Sequence, residues 1–261
     1  MDAAEHVTVL YDVANHIATL TLNRPEKRNA LDDATIAALK QHFSAADADD
    51  GVRVILLRGA GKDFCAGGDL SQLEKIAANA SRAENLADAM NLGELFIQMR
   101  RARKPSIAAV QGNALAGGAG LASACDIVIA EQGATFGYPE VKLGFVPAMV
   151  MAMLVRIVGE KRAFELAALG NSISAAEAQR IGLVARVVSP GSFDADVMSF
   201  ATELARRSAS AVQLIRKLVY DIDGRSFEDA IALGAEVNVA ARSTADCQTG
   251  VRNFLESRKK Q

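Results

Sequence analysis

Two glycine-rich turns constrain this chain more than any other feature. Phe64-Cys65-Ala66-Gly67-Gly68-Asp69-Leu70 follows the apolar run 52–57, and Gly112-Asn113-Ala114-Leu115-Ala116-Gly117-Gly118-Ala119-Gly120 follows the run 107–110. A short apolar run that breaks at glycine and opens a helix reads as buried strand, tight turn, helix start. The first N–H groups of such a helix have no intrahelical acceptor, and they stand at its positive end. Taken singly, each glycine cluster is also ordinary turn chemistry. Side by side, the two turns could aim two N–H groups at one oxygen, which is how an oxyanion is held.

Neither turn is a nucleotide loop. A P-loop needs Lys followed by Ser or Thr after its last glycine, and Gly117 is followed by Gly118-Ala119; the dinucleotide fingerprint fails at Leu121-Ala122-Ser123. A net charge of −2 gives no electrostatic reason to expect nucleic acid or an anionic membrane as partner. No apolar run approaches the roughly 20 residues of a membrane span. Residues 1–6 lack a basic stretch leading into an apolar one, so a secretory leader is not expected. Cys65, Cys125 and Cys247 are an odd, widely spaced set, expected as reduced thiols of a cytoplasmic protein and not as a disulfide framework or zinc site.

Alternation along the chain predicts an α/β core. Strands are expected at 7–13 and 16–22, joined by Ala14-Asn15, then a helix over 32–48 and a buried strand over 52–58. A long helix over 82–103 should stop before Pro105, because a residue preceding proline avoids the helical region. A strand at 106–110, a short helix at 117–124 and a strand at 126–130 follow. Beyond Pro147 the pattern is almost wholly helical, with one short strand at 183–188. The last third carries apolar helix faces at Val212, Ile215 and Val219, and at Val251, Phe254 and Leu255. Such faces either cover their own core or pack on another subunit.

The three histidines, His6, His16 and His42, all fall in the opening elements, away from both turns. A histidine-based triad or metal site is therefore not expected, and no metal-binding residues are assigned. The nucleophile elbow G-x-S-x-G is absent as well. A general base must then be a carboxylate. Glu140 is the candidate, on a turn constrained by Pro139 among Phe136, Tyr138, Val141, Leu143 and Phe145. Apolar neighbours desolvate a carboxylate and raise its pKa.

The segments 23–31, 64–70 and 111–126, with Pro139-Glu140-Val141-Lys142-Leu143-Gly144, resemble the crotonase superfamily of enoyl-CoA hydratases and isomerases in order and spacing, from about residue 7 onward. The resemblance implies a crotonase-like α/β spiral of β-β-α turns over 1–191, with a helical oligomerisation segment over 192–261. It implies Glu140 as catalytic acid/base, and the N–H groups of Ala66 and Gly117 as the oxyanion donors. It implies coenzyme A contacts from Ala66, Gly67, Gly68, Asp69, Leu70 and Gly117, and from Lys27, Arg28 and Ala30. Asp69 also reads as the cap of a helix starting at Leu70. Arg258 and Lys259 could reach phosphates of a neighbouring subunit's ligand. No separate cofactor is implied, since coenzyme A is part of the acyl-CoA thioester substrate, and family members are typically trimers or hexamers.

One departure matters. Two-glutamate hydratases carry a second catalytic Glu three residues after the donor glycine, where this chain has Gly120. The expected activity is hydration of a 2-enoyl-CoA in fatty-acid or branched-chain degradation. The alternatives are a Δ3,Δ2-enoyl-CoA isomerase using one glutamate, and a non-catalytic acyl-CoA-binding member of the family.

Overall fold

The structure is a computed structural model and describes residues 7–78 and 81–258; His6 and Lys259 lie outside them. In chain order the elements are β1 (Val9–Ala14), β2 (Ile17–Leu22), α1 (Asp33–Ala48), β3 (Val54–Gly59), α2 (Leu70–Ala77), α3 (Arg82–Arg101), β4 (Ser106–Val110), β5 (Asn113–Leu115), α4 (Gly117–Ala124), β6 (Ile127–Glu131) and β7 (Thr135–Gly137). They continue with α5 (Ala148–Val158), α6 (Glu160–Leu169), β8 (Ile173–Ser174), α7 (Ala175–Arg180), β9 (Arg186–Val188), α8 (Phe193–Ala205), α9 (Ala209–Asp221), α10 (Phe227–Arg242) and α11 (Ala245–Arg258). A 3-10 turn, Pro139–Leu143, lies between β7 and α5.

A six-stranded sheet runs β1-β2-β3-β4-β6-β9. It is parallel except for the β1–β2 hairpin. Successive side chains of a strand point to opposite faces. Ile55 and Leu57 accordingly enter the main core while Val54 and Leu56 enter a second one, closed by Phe193, Val197, Ala201 and Ala205 of α8. Burial on both faces is why these strands read as continuous apolar runs.

The second sheet, β5-β7-β8, positions the site. The segments leaving β2, β3, β4 and β6 turn across or beside this smaller layer before their helices. Isolated bridges Cys65↔Ala114 and Leu31↔Gly68 stack the first glycine turn on β5 and the segment 29–31 on the first turn. The result is a spiral of strand–strand–helix turns in which the two glycine turns are neighbours.

Several expected boundaries shift. The hairpin turn is Asn15-His16, with φ of 51° and 66°, so Ala14 remains in the strand. Two positive φ values match the right-handed twist of a tight hairpin. The long helix ends at Arg101, and the strand expected at 183–188 contracts to β9. The short strands β5, β7 and β8 had no periodicity long enough to read.

Candidate active site

Arg28 and Asn29 both adopt left-handed backbone, with φ of 53° and 56°. The buried Asn29 side chain fixes this loop: its Oδ1 accepts from Arg24 N at 2.9 Å, and its Nδ2 donates to Ala60 O and Asp63 O at 2.9 and 2.8 Å. Arg28 O is thereby brought to the first glycine turn, where it accepts the Ala66 N–H at 3.0 Å. The N–H expected as an oxyanion donor is thus already committed.

Two residues on, the turn offers a free donor. Gly67, at φ +98°, packs so closely on the second turn that an added Cβ would lie 2.7 Å from Ala116 Cβ and 3.4 Å from Gly117 N. Only glycine fits there. Gly67 O accepts from Leu31 N and Asp69 N donates to Leu31 O, which leaves the Gly68 N–H between them with no acceptor among the described residues. Gly68 is exposed, and nothing stands within 4 Å of an added Cβ.

The second turn presents its donor in a similar way. Ala116 caps α4 with φ 50° and ψ −125°, a conformation costly for a residue with a Cβ. Its N–H is held by Gly137 O at 2.8 Å. Gly117 then opens α4 with its N–H unpaired, as the first N–H of a helix must be.

Ala66, Gly68, Gly117 and Glu140 line one cavity of about 450 Å³, walled otherwise largely by hydrocarbon such as Leu31, Leu92, Phe145, Met149 and Val150. Glu140 sits in the 3-10 turn entered through Pro139. One of its carboxylate oxygens, Oε2, is buried with no hydrogen-bond partner among the described residues. Burial pushes its pKa above the usual 4.5, opposed only by its own backbone N–H. Of its apolar neighbours, Phe136 and Tyr138 are buried, whereas Val141, Leu143 and Phe145 stand exposed.

Asp69 is held in a structural role: it caps α2 through Ser71 N at 3.0 Å and pairs with Arg24 at 2.8 Å. The Ser71 N–H, with help from Arg24, draws its carboxyl down to about 2. Leu70 is the first residue of α2. Lys27, Arg28 and Ala30 lie on the loop behind Ala66 and do not line the cavity; Arg28 Nε pairs with Asp63 at 2.9 Å, and Ala30 O accepts from Arg24. The Cys65 thiol is fully buried and pushed up to about 12 by that burial, so it is inert. His16 and His42 stay away from the cavity, the latter stacked on Tyr11 with ring centroids 5.0 Å apart. Arg258 lies over the Phe254 ring on α11.

Residues 12–261 match the family model described as enoyl-CoA hydratase/isomerase. The chain is 41% identical over 243 residues to a Thermus thermophilus protein named as a candidate enoyl-CoA hydratase, covering 93% of this chain and 96% of the other. It is 39% identical to a mevalonyl-coenzyme A hydratase of Aspergillus fumigatus, covering 94% and 91%. The crystal structure of an enoyl-CoA hydratase from Mycobacterium smegmatis superposes with a TM-score of 0.91 at 32% identity, over 96% of both chains. By sequence and by fold, the chain belongs to the enoyl-CoA hydratase/isomerase family of the crotonase superfamily.

Proposed function

We propose that the protein hydrates 2-enoyl-CoA thioesters, with Glu140 as the acid/base and the N–H groups of Gly68 and Gly117 as the oxyanion pair. The observation that carries this reading is a buried, unpartnered carboxylate oxygen in the same cavity as two unpaired backbone N–H groups. A thioester carbonyl seated between those N–H groups is polarised. Water then gives a proton to Glu140 as its oxygen bonds to Cβ, and the electrons of the double bond move onto the thioester oxygen as an enolate. Glu140 returns the proton to Cα as the enolate collapses. Water has been added across the double bond, and the carboxylate is restored.

A second reading, double-bond migration, is favoured by Gly120, since only one carboxylate need act. Glu140 removes a proton from Cα of a 3-enoyl thioester and delivers it to Cγ. A non-catalytic acyl-CoA-binding role would leave the unpartnered Glu140 without purpose. In either reaction we assign the coenzyme A contacts to Gly67, Gly68, Asp69 and Leu70, with Lys27, Arg28 and Ala30 on the loop behind them. We place the protein in the cytoplasm; no helix among the described residues is long and apolar enough to cross a membrane.

The test is a panel of 2-enoyl and 3-enoyl-CoA esters, following both the 3-hydroxy product and double-bond movement. The 3-hydroxy product should dominate with crotonyl-CoA, and exclusive migration would establish the second reading. Within the same assay, Gly68→Pro removes one donor and should reduce kcat by roughly 10²–10³-fold. Gly68→Ala should keep most of it, since an added Cβ meets nothing. Equal activity of the two variants would remove Gly68 from the oxyanion pair.

The same reading extends to assembly. Ile215, Val219, Phe227, Ile231, Phe254 and Leu255 of α9–α11 are all more than half exposed in the single chain. Apolar faces of that extent mark protein interfaces, and we assign them to contacts between copies in a trimer or hexamer. Light scattering at micromolar concentration should show no monomer.

A further inference from the structure

One wall of the catalytic cavity is closed by a matched pair of residues. Gly120 lies one turn into α4 from the Gly117 donor. A Cβ built there would come 2.6 Å from Val150 Cγ2 and 3.0 Å from Phe96 Cζ. Its φ is not positive, so no backbone conformation requires glycine at 120; the requirement is steric. Val150, in the first turn of α5, is 3% exposed and lines the cavity, while Phe96 does not. A β-branched side chain on a helix has essentially one χ1 rotamer, so the valine methyl cannot swing aside.

That wall therefore offers the cavity hydrocarbon only. Among the cavity's other carboxylates, Asp69 is tied to Arg24 and Ser71, and Asp88 is exposed on α3. We infer that Val150 is the residue that sets reaction specificity, because by filling the space over Gly120 it commits the site to one-carboxylate chemistry. The inference rests on Glu140 being the acid/base. In hydration one proton leaves water and one reaches Cα; with a single carboxylate the same group must take the first and deliver the second. In migration one proton leaves Cα and reaches Cγ, which a single carboxylate performs without water. An apolar wall at Val150 leaves migration untouched and makes hydration rest on Glu140 alone.

Two measurements test this. The first is a double-mutant cycle on thermal midpoint with Gly120→Ala and Val150→Ala. Gly120→Ala should lower the midpoint by several degrees when valine stands at position 150, and far less in the Val150→Ala background. Equal losses in both backgrounds would overturn the pairing. The second measures the ratio of hydration to migration, with crotonyl-CoA and a 3-enoyl-CoA, in Gly120→Glu/Val150→Gly against Val150→Gly alone. General acid–base catalysis supplies 10²–10⁴-fold, so an added carboxylate in the vacated space should raise the ratio at least roughly tenfold. Gly120→Asp/Val150→Gly serves if the glutamate variant does not fold. An unchanged ratio in a folded, active double variant overturns this inference alone. A wild-type protein inactive on both esters overturns the Glu140 reading, and this inference with it.

Discussion

Replacing Glu140 with glutamine should cut turnover by roughly 10²–10⁴-fold, the usual contribution of a general acid–base group, and should raise thermal stability at neutral pH. The substitution keeps the shape and removes the ionisation. Coenzyme A ester affinity should hold, because the nucleotide contacts are assigned to the first glycine turn and the loop behind it. The stability gain follows from the same burial that tunes the base. The Glu140 carboxyl titrates above the ordinary 4.5 in the fold, so between the unfolded and folded values the native state binds more protons. Stability then falls as pH rises through that window. What Glu140 contributes is fully present below the unfolded value and lost above the folded one. Glutamine escapes this loss, so the variant should melt higher than wild type at pH 7, and the gap should close towards pH 4. For the wild type, kcat/KM should rise with pH along an acid limb whose midpoint lies above 4.5. Full activity of Glu140→Gln on every ester tried would mean the base lies elsewhere.

The elements that carry the site were legible where local chemistry alone decides them. Pro105 and Gly117 punctuate the chain so sharply that β4 and α4 begin and end where the pattern placed them, and Asp32 caps α1 at the start of the helix expected over 32–48. Glu140 stood out because no histidine lies near either turn and its neighbours are apolar. A glutamate after proline is more often a surface residue, so its role came from the family resemblance; the structure puts it in the cavity with one oxygen buried. The donor on the first turn was not legible. Ala66 and Gly68 stand two residues apart on one turn, and what separates them is Arg28 O, brought in by a left-handed Arg28-Asn29 pair and the Asn29 amide. The only hint was asparagine's tolerance of that backbone region. Gly120 was legible as a missing carboxylate, but its cause stands thirty positions away at Val150, and no local rule connects the two. The C-terminal helices showed their apolar faces plainly. What fastens them to the core did not show, because it is a charged residue beside one of those faces.

That residue is Arg216. Removing it should destabilise the fold by about 3 kcal/mol, near the low end for breaking a buried ion pair. It is the one buried residue of α9, and α10 and α11 have none among the described residues. Its Nε donates to Asp126 at 2.9 Å, and its remaining nitrogens donate to Met99 O at 2.6 Å, Arg100 O at 3.1 Å and Ala102 O. These carbonyls end α3, where helical N–H donors run out. Asp126 accepts in addition from Ser106 N at 2.6 Å, Ser106 Oγ at 2.8 Å and the Tyr220 hydroxyl at 2.5 Å, which joins α9 to the start of β4. With Arg216→Leu, Asp126 loses its cation but keeps these three donors, which is why the cost should stay near the low end. At the 2–4 °C per kcal/mol usual for a chain of this size, the melting midpoint should fall by roughly 10 °C. Arg216→Lys should recover little, since one ammonium cannot replace a planar fork reaching four acceptors. Proteolysis should cut first around 206–226, releasing α9–α11 while the sheet survives. An unchanged midpoint for Arg216→Leu would mean that the apolar faces hold these helices, and that the guanidinium is incidental.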